Sequence, residues 1–192
     1  QDMSVAIVGA GFSGLMFAIA LARAGANVDV YEEHARVGFP EHCTGLVSAY
    51  TAEMIGRPAE VSKLGVIESF VVSGPSLSAR VRASRPVVKL DRVKLEEVMA
   101  EEAESEGVRI NYGLRAKVSP EGVVTPVGKR YDAVILAEGY LGRQRANLGI
   151  GFSGVPIYGV NAEYEGGGPE DFEARFDGVT SDGFFSWRVT LK

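Results

Sequence analysis

Three glycines in the pattern Gly9-x-Gly11-x-x-Gly14 have the type and spacing that bring a backbone up against phosphate. Gly9 permits a tight turn. Gly11 has no Cβ to hold a pyrophosphate away, and Gly14 lets a following helix sit close against the preceding strand. Phe12 and Ser13 fall in the same turn, where the N–H groups and positive dipole end of a helix would face an anion. Glu32 lies close to the spacing of about 20 residues expected for an acid that binds ribose hydroxyls. A carboxylate there suits two neutral hydroxyls and repels a 2′-phosphate. The competing reading is a βαβ unit whose glycines serve packing alone, with Glu32 a solvated strand end.

Few other residues have a chemical signature. Cys43 is the one cysteine, so no intramolecular disulfide forms, and a reducing, cytoplasmic setting is expected. His34 and His42 lie near it without further ligands at metal spacing, so no metal site is expected. No Ser-His-Asp or paired-carboxylate arrangement is visible. A net charge of −5 gives no basic footprint for nucleic acid. The polar Gln1-Asp2 start argues against a signal peptide, and no apolar run is long enough to span a bilayer.

The elements that must position these residues are legible from pattern. Val5–Val8 is a short β-branched apolar run, read as a buried parallel strand. Phe12–Ala24 reads as a helix, apolar nearly all round and therefore expected to be buried between two layers, with Gly25 as its stop. Residues 27–31 form a second strand, and 51–56 a short helix stopped by Gly56 and Pro58. Val66–Ser73 and Leu77–Ala83 read as a hairpin around Gly74-Pro75, the second strand alternating apolar and polar residues as if one face were wet. Arg92–Glu106 is a helix with an apolar stripe from Val93, Leu95, Val98, Met99 and Ala103, its acidic residues forming a solvated face. Val108–Tyr112 is a strand, 115–119 and 122–125 a small hairpin, and Tyr131–Ala137 another buried parallel strand. Beyond Val155 strand-like pieces dominate, at 156–164, 172–177 and 184–191, with a turn at Gly166–Pro169. The fold class expected is α/β: a Rossmann-like sheet with an inserted or adjacent antiparallel β-sheet. The last run ends without a closing element, which reads as a fragment of a longer chain.

Four stretches together resemble the FAD-dependent oxidoreductases of the geranylgeranyl reductase family, relatives of the aromatic-hydroxylase flavoproteins. They are the glycine turn with Glu32 and Arg36; residues 37–47, Val-Gly-Phe-Pro-Glu-His-Cys-Thr-Gly-Leu-Val; Lys89-Leu90-Asp91-Arg92-Val93; and residues 137–145, Ala-Glu-Gly-Tyr-Leu-Gly-Arg-Gln-Arg. The resemblance covers most of residues 3–145. It implies FAD as cofactor, bound by Gly9, Gly11, Phe12, Ser13, Gly14, Glu32, Glu33, Arg36, Cys43, Thr44, Gly45, Arg92, Glu138 and Gly139. Arg36 would lie over adenine or near phosphate. For Arg92 the alternative is a salt bridge to Glu96 at i,i+4. Glu138 replaces the family's Asp and Gly142 its usual Ser. Phe184-Phe185-Ser186-Trp187-Arg188-Val189 is similar to the family's aromatic substrate motif, of which Trp187 is the residue retained. Phe185 and Trp187 would then line an isoprenoid channel, or else serve as core residues on a strand.

On this reading residues 1–65 and 86–150 form the FAD-binding domain, and 66–85 and 151–192 part of a substrate domain. Reduced FAD would transfer hydride to an isoprenoid C=C bond of a polyprenyl lipid, with an external electron donor. Cys43 would lie beside the flavin as the catalytic candidate; as a lone cysteine it equally suits a small buried hydrophobe. The lipid leaves room for peripheral membrane contact. The alternatives are a flavin monooxygenase on an aromatic substrate, a non-catalytic nucleotide-binding module, and a nicotinamide dehydrogenase built on the same turn.

Overall fold

The computed structural model describes residues 2–151, 154–166 and 171–191. In chain order the elements begin with β1 (Ser4–Val8), α1 (Phe12–Arg23), β2 (Asn27–Tyr31), β3 (Leu46–Ser48), α2 (Ala49–Ile55) and α3 (Arg57–Val61). Then come β4 (Lys63–Ser73), β5 (Ser78–Leu90), α4 (Arg92–Ser105), β6 (Arg109–Asn111), β7 (Lys117–Val118), β8 (Val123–Thr125) and β9 (Lys129–Arg130). The chain continues with β10 (Ala133–Leu136), α5 (Arg143–Asn147), β11 (Asp171–Arg175) and β12 (Ser186–Thr190). It divides into two compact units, one of Gln1–His42 with Val93–Gly159, the other of Cys43–Arg92 with Val160–Lys192.

The first unit is built on a four-stranded parallel sheet in the order β10-β1-β2-β6. Val5, Ala6, Ile7 and Val8 are all buried, as a strand covered on both faces requires. On one face the β7-β8-β9 meander closes over Ala6, Val8 and Tyr31 with Ala116, Val124 and Tyr131. The helices bury Leu15, Ala18 and Ile19 from α1, and Leu95, Val98, Met99 and Ala103 from α4. Arg23 ties the two helices together by pairing with Glu102 and Glu106 at 2.8 and 2.7 Å, so part of the acidic face of α4 is engaged rather than solvated. The expectation that α1 is buried all round is corrected: Met16 and Phe17 are 38% and 50% exposed. Small residues allow close packing on one stripe, and the remainder of an apolar helix stays outside unless another layer covers it.

Beneath the meander sits a buried charge. Asp29, 4% exposed, accepts hydrogen bonds from Arg109 Nε (2.7 Å), Lys129 Nζ (2.7 Å) and the Tyr131 hydroxyl. Since Tyr131 spends its one proton on Asp29, Tyr31 is the donor in the hydroxyl pair Tyr31–Tyr131. Burial acts to raise the Asp29 pKa, but the three donors outweigh it and hold the carboxyl below its ordinary range. Burial first, then the bonds to Asp29 and Tyr31, pushes the Tyr131 hydroxyl upward.

The second unit is a five-stranded sheet in the order β12-β11-β4-β5-β3. Its pairs are antiparallel except β4 with β11, which run parallel. The hairpin is longer than the sequence suggested. After an irregularity between Ile67 and Ser69, β5 runs on to Leu90 and takes β3 as a further neighbour. Residues 46–48, 63–65 and 87–90 pair within this sheet, and Cys43–Arg92 falls in this unit. Pro58 does not merely stop α2 but opens α3, an N-terminal position that tolerates its missing N–H. Leu77 and Val81 are exposed, so the alternation along β5 does not separate a dry face from a wet one. Residues 156–164, expected as a strand, pair with no strand among the described residues, and Ile157, Tyr158 and Val160 are exposed. Of the turn expected at Gly166–Pro169, all but Gly166 lies outside the described residues.

Candidate functional site

β1 ends where the order of the parallel sheet reverses, with β2 on one side and β10 on the other. In open α/β sheets such a switch point is where the crevice for ligands opens. The three glycines there answer to different constraints. Gly9 has φ of +102°, donates its N–H to Tyr31 O at 2.8 Å, and a Cβ on it would stand 2.4 Å from Ala137 O. A Cβ on Gly14 would stand 2.0 Å from Gly9 O. Packing within the chain therefore requires both. Gly11 caps α1 with φ −74° and ψ −179°, a conformation open to any residue, and a Cβ there meets nothing within 4 Å. Neither backbone nor packing demands glycine at 11. The space over Gly11 is open to approach from outside the chain. Ser13 is exposed at the start of α1 and Phe12 half-buried beside it; no acidic side chain occupies that first turn. A helix N-terminus with no acid in its own first turn suits an anion.

Glu32 follows β2 and is buried. Its Oε2 accepts from Ala10 N at 2.9 Å, which ties it to the glycine turn 22 residues earlier. Its Oε1 accepts from His34 N at 2.8 Å and from His34 Nδ1 at 2.6 Å. Spacing alone suggested Glu32 but gave no sign of the Ala10 bond or of His34. Glu33 turns instead to Arg115, 2.7 Å away, with Arg143 at 4.0 Å. Arg36 lies 3.6 Å over the Phe39 ring, a cation–π contact that gives it an aromatic partner within its own loop. Glu138, expected to bind the cofactor, lies just after β10. Its two carboxylate oxygens accept from Gln144 N and Arg145 N, both at 2.8 Å, so it caps α5. The extra methylene relative to Asp gives it the reach to do so. Gly139 follows with φ of +67°.

In the second unit the Cys43-Thr44-Gly45 loop meets β12. Cys43 is exposed and its Sγ accepts from Gly45 N at 3.4 Å. Gly45 has φ of +72°, and a Cβ on it would be 2.2 Å from Leu90 O and 3.2 Å from Arg92 Cγ; Leu90 donates its N–H to Gly45 O at 2.8 Å, which holds the loop to the end of β5. Gly45 is thus required by packing. Thr44 Oγ1 accepts from Trp187 Nε1 at 3.0 Å and donates to Asn161 Oδ1 at 3.3 Å. Trp187 lies in β12 and Phe185 just before that strand. Their rings are 6.2 Å apart, and Phe185 stacks on Phe184 at 4.4 Å and meets Phe176 at 5.1 Å. The structure therefore brings Thr44 and Trp187 together across 143 positions of sequence and surrounds them with aromatic surface. Asn161 and Phe176, which complete this cluster, carry no signal in the sequence. Among the described residues no helix is long and apolar enough to cross a membrane.

Residues 7–42 match the family described as NAD(P)-binding Rossmann-like domain. Digeranylgeranylglycerophospholipid reductase 1 of Methanopyrus kandleri is 36% identical over 77 residues, which is 40% of this chain and 20% of that protein. A geranylgeranyl bacteriochlorophyll reductase-like protein from Thermoplasma acidophilum superposes with a TM-score of 0.67 at 16% identity, over 92% of this chain and 50% of its own. CtdE, solved in complex with FAD, superposes with a TM-score of 0.59 at 22% identity, over 77% of this chain and 41% of its own. The chain thus spans about half the length of the solved structures it matches or less. Over that length it shares the fold of these proteins, one of them solved with FAD bound, and over 77 residues it resembles a geranylgeranyl-lipid reductase in sequence.

Proposed function

We propose that this chain holds FAD by its adenosine and pyrophosphate and forms part of an oxidoreductase that reduces isoprenoid C=C bonds in polyprenyl lipids. The observation that carries the nucleotide half of this reading is Gly11, glycine where neither fold nor packing requires it. With a phosphate oxygen in that space, the first-turn N–H groups of α1 supply hydrogen bonds and Glu32 accepts from a ribose hydroxyl. FAD, once bound, supplies a two-electron hydride-transferring centre. Cys43 is the chain's candidate for contact with the reacting region. The Phe184, Phe185 and Trp187 surface suits an apolar, unsaturated chain, and the Thr44–Trp187 bond fixes the indole plane. The lipid and an external electron donor are the partners this reading requires, and a polyprenyl substrate makes peripheral contact with a bilayer part of it.

The test is the visible absorption spectrum of the purified protein, with the released cofactor identified by mass. A flavin spectrum and FAD support the reading; a colourless protein that refuses added FAD overturns it. Incubation of the reduced protein with a geranylgeranyl lipid then separates the chemistries. Gain of two hydrogens per double bond supports alkene reduction, whereas gain of one oxygen, or no product, counts against it.

A further inference from the structure

The carboxylate proposed to hold the ribose is itself held, and His34 is the residue that holds it. Glu32 has about four lone-pair directions. Ala10 N takes one on Oε2; His34 takes two on Oε1, one through its backbone N–H and one through its ring. A carboxylate only accepts, so the ring nitrogen facing it, Nδ1, carries the proton. Both the neutral Nδ1–H tautomer and the imidazolium donate this bond. His34 O in turn accepts from Gly113 N at 2.9 Å, and Glu32 O from Leu114 N at 2.8 Å, which anchors this short segment against the residues following β6. The backbone is therefore fixed independently of the imidazole. What the ring adds is a charge-assisted bond at 2.6 Å that saturates Oε1 and fixes the rotation of the carboxylate, leaving Oε2 as the oxygen with accepting capacity.

We infer that His34 is a positioning residue for nucleotide binding: its Nδ1–H holds Glu32 so that Oε2 accepts from a single ribose hydroxyl. The inference rests on the nucleotide reading above and goes beyond it by naming the residue and the oxygen that set ribose recognition. Without the ring donor the carboxylate can rotate or admit water at Oε1, and the fixed acceptor is lost. The phosphate end of the site, formed by the glycine turn, is unaffected.

The test measures binding of ADP and of 2′,3′-dideoxy-ADP to the chain by calorimetry, for the wild type and for His34→Leu, His34→Asn and His34→Gln. Asn places its amide nitrogen on Cγ, where Nδ1 stands in His, whereas Gln reaches to the Nε2 position. The expected result for His34→Leu is a roughly tenfold weaker ADP complex with dideoxy-ADP binding unchanged. His34→Asn should restore ADP binding and His34→Gln should not. Equal weakening for both ligands would mean a merely structural residue and overturn the inference. So would ADP binding unchanged in His34→Leu, or failure of His34→Asn to restore it. A wild-type chain that binds neither ligand would overturn the nucleotide reading itself, a distinct failure that takes this inference with it.

Discussion

Replacement of Gly11 by Ala separates the two explanations of the glycine turn. A methyl at position 11 meets no atom within 4 Å, and the backbone there needs no positive φ. Ala is a poorer N-cap than Gly, but it also narrows the unfolded ensemble by about 0.4–1 kcal/mol. The two effects nearly offset, so stability should change by less than about 1 kcal/mol. Binding should behave otherwise. A phosphate oxygen in contact with the backbone must retreat by roughly the size of the methyl group, and at least one charge-assisted bond to an N–H is lost. Such a bond is worth roughly 1.5–3 kcal/mol, so ADP or FAD should bind roughly 10- to 100-fold more weakly. Gly14→Ala is the contrasting variant. Its Cβ would stand 2.0 Å from Gly9 O, a backbone atom that cannot move aside, and about 3 kcal/mol or more of stability should go. At this chain length that is a Tm drop on the order of 10 °C. Thermal melts and calorimetric titration of the two variants give the answer. A Gly11→Ala protein that binds nucleotide as tightly as the wild type, or that melts as early as Gly14→Ala, would refute the reasoning.

Other outcomes follow from the polar contacts. Asp29→Asn should cost about 1–3 kcal/mol near neutral pH, because the Tyr131, Lys129 and Arg109 donors lose a charged acceptor. The folded-state pKa of Asp29 is depressed, so its contribution is complete above the unfolded carboxyl pKa of about 3.9 and fades as pH falls through the folded value. Urea unfolding of both proteins should show a constant gap above about pH 5 that closes toward pH 2; a gap that widens on acidification would contradict this sign. Glu138→Ala removes the acceptor of two α5 N–H groups and should cost about 1–2 kcal/mol, with hydrogen exchange accelerated at Gln144 and Arg145 first. Trp187→Phe and Thr44→Val both break the Thr44–Trp187 bond, so each should cost about 0.5–1.5 kcal/mol and the double variant less than the sum of the two. Strict additivity in that cycle would mean the bond does not form in solution.

Where the structure departs from the sequence reading, the cause is a contact between distant residues. Residues 43–65 and 86–92 read as part of the nucleotide-binding domain because they follow its elements in the chain. Pairing sets Leu46–Ser48 and 87–89 of these in the other sheet. The parallel pairing of β11 with β4 likewise joins residues far apart in the chain, Phe172 with Phe70. Glu138 was read by its position after a strand, yet its carboxylate reaches six and seven residues ahead to cap α5.

The local signals determined the parallel strands, the two long helices, the hairpin and the identity of the glycine turn, because hydrophobic period and glycine placement act within a few residues. Glu32 was legible too, since the βαβ unit fixes the distance from turn to strand end. Only the tertiary structure decided which of the three glycines packing demands, since that depends on where Ala137 O and Gly9 O lie. It alone brought Thr44 to Trp187, set Asp29 under Lys129 and Tyr131, and turned His34 onto Glu32. Hydrogen-bond partners are chosen by distance in space and by the penalty for leaving a buried polar group unsatisfied, and neither quantity is written in the spacing of residues along a chain.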